Sequence, residues 1–74
     1  MNRFQEFYDI MRKLDSKINL KIEELNSGFF VIYYSRYDIK GSKVVDKFEN
    51  IYEEVVEIYE FLNFKNNILC NFVR

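Results

Sequence analysis

The stretch Gly28-Phe-Phe-Val-Ile-Tyr-Tyr-Ser-Arg-Tyr37 decides how this chain is put together. Its β-branched and aromatic content marks it as a strand, and in a strand successive side chains point to opposite faces. Phe29, Val31, Tyr33 and Tyr37 then share one face, while Phe30, Ile32 and Tyr34 share the other. Both faces are apolar or aromatic, so each needs a cover, and a chain of 74 residues has few segments to supply two.

The neighbours on either side have simpler patterns. Upstream, Ile18, Leu20 and Ile22 alternate with Lys17, Asn19, Lys21 and Glu23, the mark of a strand with one buried face. Before it, Phe4, Phe7, Tyr8, Met11 and Leu14 recur at helical spacing. That spacing predicts a helix over 3–14, opened by an Asn2/Gln5 capping box and closed with Arg12 and Lys13 where the helix dipole favours cations. Downstream, Asp38-Ile39-Lys40-Gly41 suits a type I turn, and 43–48 reads as a third strand. Asn50 and Glu53 form a second capping box for a helix carrying Ile51, Val55, Ile58, Tyr59 and Leu62. In the tail, 63–74, Asn66 and Asn67 suggest a turn, and the apolar residues after them read as a short edge strand or a docked end. The expectation is one α+β domain over 1–74 in α-β-β-β-α order: a three-stranded antiparallel sheet against two helices, open to a fourth strand from the tail.

Register decides which face of the middle strand is covered. A two-residue first turn at Asn26-Ser27 places Ile22 beside Val31 and Leu20 beside Tyr33 under the helices, with Val44 and Phe48 on the same inner face. Phe30, Ile32, Tyr34 and Arg36 are then the exposed stripe, bordered by Lys17, Lys21, Lys43 and Lys47. A three-residue turn would exchange the faces. On the second helix Glu49, Glu53, Glu57 and Glu60 fall at steps of four, four and three and form an acidic stripe opposite its apolar arc.

Composition narrows the function classes. Eleven Lys and Arg against twelve Asp and Glu give a net charge of −1, too little positive field to mark a nucleic-acid binder. Histidine is absent, Cys70 is the single cysteine and glycine occurs twice. A triad of the usual kind, an internal disulfide, an ordinary zinc site and a glycine-rich phosphate loop therefore all lack their parts. No enzyme, cofactor or metal is expected. A lone thiol and the lack of a long apolar run fit a cytoplasmic protein with no membrane partner.

The expected function is a non-enzymatic protein-binding module. Its contact residues are Phe30, Ile32, Tyr34 and Arg36 on the sheet, or Glu49, Glu53, Glu57 and Glu60 on the helix. The bias toward Asn, Lys, Ile, Phe, Tyr and Glu is what AT-rich genomes encode. It suggests a phage or mobile-element accessory protein that binds and inhibits a host protein such as a defence nuclease. Two alternatives use the same aromatic face: stacking of single-stranded nucleic acid, which the weak net charge disfavours, and a purely structural homodimer.

Overall fold

The computed structural model describes residues 3–73, with side chains through residue 64. The chain runs α1 (Gln5–Leu14), β1 (Asn19–Glu24), β2 (Phe30–Arg36), β3 (Ile39–Val45), a 3₁₀ turn (Phe48–Asn50) and α2 (Ile51–Val73). The strands form one antiparallel sheet in the order β1-β2-β3, with both helices on one side of it, which is the expected α+β architecture.

In α1 the periodic residues Phe4, Phe7 and Met11 are buried, with Tyr8 and Ile10 at the margin of the core. Leu14, expected on the same stripe, is 40% exposed at the last position of the helix. Asn2 of the expected capping box lies outside the described residues. The first turn is entered through Phe4, whose carbonyl accepts the N–H groups of Phe7 and Tyr8. Tyr8 also reaches the outer edge of β1, where its hydroxyl accepts the Ile22 N–H at 3.0 Å. That bond occupies one backbone group of an edge strand that would otherwise be open to pairing with another chain.

The first hairpin corrects the expected register. Asn19 pairs with Ser35, Leu20 with Tyr34, Ile22 with Ile32 and Glu24 with Phe30, one residue away from the arrangement a two-residue turn would give. The cause is the loop. Leu25 donates its N–H to the Phe29 carbonyl at 2.7 Å and accepts from Gly28 N–H at 3.1 Å, leaving three residues, Asn26-Ser27-Gly28, between the strands. Gly28 has φ +86°, the left-handed conformation that ends a three-residue loop of this type and that glycine adopts without a Cβ penalty. Because strand side chains alternate, this single extra residue turns Phe30, Ile32 and Tyr34 inward and Val31 and Tyr33 outward.

The second hairpin is tighter than expected. Arg36 pairs with Ile39, so the loop is Tyr37-Asp38 alone, and Tyr37 takes the left-handed φ of +57° that primed two-residue turns require. Gly41, expected to close a type I turn, instead lies within β3 opposite Tyr34. A Cβ there would meet the phenol oxygen and ring of Tyr34, so the glycine gives the tyrosine a place to lie. Val45 rather than Val44 faces the helices, and Val44 is 65% exposed.

The core is formed by Ile18, Ile22, Phe30, Ile32 and Val45 from the sheet side, Phe4, Phe7 and Met11 around α1, and Ile51, Val55, Ile58 and Leu62 from α2. At one end Phe4, Phe7 and Phe30 surround Phe48 in edge and tilted contacts at 5.5–6.3 Å between ring centres. The Arg3 guanidinium lies 4.6 Å from the centre of the Phe48 ring and pairs with Glu24 at 3.0 Å, closing that cluster. Phe48, 37% exposed, thus caps the margin of the core from the 3₁₀ turn and not from a strand.

α2 begins where expected, although Asn50 turns its amide to the Asp46 carboxylate at 3.2 Å. It then runs on through 63–73, which overturns both the turn at Asn66-Asn67 and a fourth strand from the tail. Extending a helix already nucleated and packed by its first three turns adds one hydrogen bond per residue. Two asparagines, each costing only about 0.7 kcal/mol relative to alanine, do not stop it. No helix of the described residues is long and apolar enough to cross a membrane.

Candidate protein-docking face

With the register set, the site candidates move. Phe30 and Ile32, expected on the exposed stripe, are 5% and 0% exposed inside the core. Tyr34 is half-buried beneath α2, edge-on to Phe61 at 6.3 Å. Arg36 is bonded to Asp15 at 3.2 Å, tying the end of β2 to the end of α1. Its Nε and Nη1 are buried without a hydrogen-bond partner, and its guanidinium carbon lies 5.5 Å from the centre of the Tyr37 ring. These four residues belong to the face that the helices cover, so in this fold a partner could not reach Phe30 or Ile32.

The open face of the sheet carries the other set. Val31, at its middle, is 7% exposed yet stands apart from the core, so its neighbours on the same face cover it. Around it Phe29 is 41% exposed and Tyr33 44%, and Val44 projects beside them. Strand spacing and rise make this face about 14 Å by 20 Å. Its apolar part, Phe29, Val31, Tyr33 and Val44, is smaller, and the largest apolar patch on a typical monomer is about 300–600 Å² and often functional.

The polar residues of the face are sorted along the strands. Where β2 begins and β3 ends, Phe29, Val44 and Asp46 of this face meet Asn50, Glu53 and Glu54 of the helix side in an open groove of about 500 Å³ around the edge of β3. Its carboxylates come from the end of β3 and the first turn of α2, where the helix dipole favours acids. No three Cys, Asp or Glu side chains among the described residues converge as metal ligands. At the opposite end, Asn19, Lys21, Tyr33, Ser35 and Lys40 line a second basin of about 370 Å³. The Leu20-Tyr34-Gly41 row forms its floor, and it opens outward because the Tyr34 ring fills the inner side.

The glutamate stripe is split by the same geometry. Glu49, Glu53 and Glu60 are exposed. Glu57 is exposed as well but meets Lys43, whose ammonium bonds it at 3.2 Å and approaches Glu54 at 3.5 Å. Lys43 was expected on the open face; it pairs with Ile32 across β2 and β3 and so points to the helix side. Burial alone would depress its pKa, but the hydrogen bond to Glu57 and the charges of Glu54 and Glu57 outweigh this and raise it above 10.5. The hydrogen bond with Glu57, then burial, raises the Glu54 carboxyl above its ordinary value. The same bond from Glu54, then Lys43, lowers Glu57.

Sequence reasoning passed over Phe29, Tyr33, Val44, Lys40 and Asp46 as surface candidates because it had their faces reversed or placed them in turns. The one signal that would have found them is Gly28, whose tolerance of positive φ fits the last position of a three-residue loop. Comparison with protein-family models, with curated proteins and with solved structures finds no match, so the geometry of this face carries the functional reading.

Proposed function

We propose that the chain is a non-enzymatic protein-binding module that docks through the open face of its sheet. The observation that carries this reading is Val31 buried outside the core among the exposed side chains of Phe29, Tyr33 and Val44. Aromatic residues of this kind contribute large contact area at low conformational cost and are enriched at protein interfaces. The absence of histidine and the scarcity of glycine support a binding role over catalysis. The AT-biased composition supports a place among phage or mobile-element accessory proteins. Single-stranded nucleic acid is the second reading, favoured by Tyr33 lying between Lys21 and Lys40 in one basin. The carboxylates at the other end of the face repel phosphate and rank it below protein.

A photo-crosslinking amino acid at position 44 tests the choice, with one at Lys13 on the exposed side of α1 as control. Protein adducts from position 44, abolished by Tyr33→Lys and absent from position 13, are expected. If position 44 captures short oligonucleotides instead, in a way that added salt suppresses, the nucleic-acid reading replaces this one. Silence at both positions removes the docking face.

A further inference from the structure

We infer that the occupant of the open face is a second copy of this chain, held face to face about a two-fold axis that lies in the interface and runs across the strands, level with Ile32. The inference rests on the docking face proposed above and assigns its partner. Its basis is the polarity of that face. A two-fold interface is isologous: each patch meets the patch that its own rotation brings over it. Rotation about an axis near the centre of β2 exchanges the two ends of the strands. It therefore lays Asp46 of one copy over Lys40 of the other, and Glu23 over Lys21. The same operation sets Tyr33 of one copy against Phe29, Val31 and Val44 of the other, apolar on apolar. Had the charges been sorted across the strands, or all of one sign, the rotation would have opposed like charges.

Other partners fit less of what is present. An acidic partner would satisfy only Lys21 and Lys40 and a basic one only Glu23 and Asp46, whereas a second copy satisfies both with no further assumption. The size of the face sets the strength. Its footprint of about 300 Å² lies below the ~800 Å² per partner of a standard interface, so the dimer is weak and forms at about 10 μM to 1 mM.

Sedimentation equilibrium of the full chain over that range reads this directly. The wild type is expected to pass from monomer to dimer, with affinity falling about tenfold from low to high salt as the end charges are screened. Two reversed chains sharpen the test: Lys21→Glu with Lys40→Glu, and Glu23→Lys with Asp46→Lys. Each alone should self-associate about tenfold more weakly than the wild type, while an equimolar mixture of the two should pair more tightly than either does with itself. Should a reversed chain fail to fold by circular dichroism, the wild-type salt dependence and NMR shifts on dilution still decide. Those shifts should be confined to residues such as Lys21, Tyr33, Lys40, Val44 and Asp46. A wild type that stays monomeric to about 1 mM overturns the inference, as does a mixed pair no tighter than its components. Crosslinking at position 44 keeps the two proposals apart. A monomer captured there by a different chain loses the second copy but keeps the docking face, and a monomer captured by nothing loses both.

Discussion

The two faces of one three-stranded sheet carry nearly the same kinds of side chain and have opposite fates. On one, Phe30 and Ile32 are sealed beneath the helices; on the other, Phe29, Tyr33 and Val44 stand in the open. Residue type does not separate them, since both faces of β2 hold an aromatic residue beside a β-branched one. What separates them is the number of residues in the first loop, which sets the phase of β2 against β1. A face that is apolar because it is core and an apolar face left in the open are indistinguishable in a single strand. They become distinct only once neighbouring elements take sides.

Several changes would break or sharpen this contrast. The largest effect is expected from a charge on the covered face: Ile32→Lys should cost more than about 4 kcal/mol, while Tyr33→Lys on the open face should stay within about 0.5 kcal/mol in a monomeric sample. Urea unfolding should show no cooperative transition for the first; a stable Ile32→Lys variant would mean that this side of β2 is not core.

Next come matched truncations on the two faces. Ile32→Ala, at 0% exposure, should cost about 2–5 kcal/mol, while Val44→Ala should stay within about 0.5 kcal/mol in a monomeric sample. Equal losses in chemical denaturation would erase the distinction between core and open face. Gly28→Ala should cost about 1–2 kcal/mol through its left-handed backbone alone, because nothing lies within 4 Å of the added methyl group. Gly28→Asn should lose less, since asparagine visits that conformation more readily.

The smallest effect concerns Lys43. Its folded pKa lies above 10.5, so its contribution is fully present below that pH and is lost as pH rises through the raised value. Lys43→Gln should therefore lower thermal stability near neutrality by no more than about 0.5 kcal/mol, as suits a partly exposed ion pair, and the gap from wild type should close in the alkaline range. In acid the two carboxyls oppose each other. Glu54, raised, favours the fold as pH falls, while Glu57, lowered, loses its contribution over the same descent, so the pair leaves little net slope. A steep acid dependence that Glu57→Gln removes would contradict this balance.

Much of the fold was legible beforehand, and the misses have identifiable causes. The spacing of Phe7 and Met11, and of Ile51, Val55, Ile58 and Leu62, marked both helices and their buried arcs, because a helix face is a local property of period 3.6. Ile18 and Ile22 were read correctly as inward-facing for the same local reason. Turns were harder. Gly41 suggested a turn but serves as space for the Tyr34 ring, a contact made across two strands. Tyr37 takes a left-handed conformation that a tyrosine seldom adopts, imposed by the short connection between β2 and β3. The asparagines of the tail suggested a break that the established helix passes through.

By itself the sequence determined that the chain would be helix, three strands and helix, that its middle strand would be apolar on both sides, and that the usual catalytic parts would be missing. Those follow from periodicity and composition, which act over a few residues or are counted. Only the tertiary structure decided which side of that strand is core, which lysines join the acids of α2 and which remain on the open face. A strand's alternation is a parity, and one loop residue, placed by a glycine with a left-handed backbone, reverses it for every position that follows.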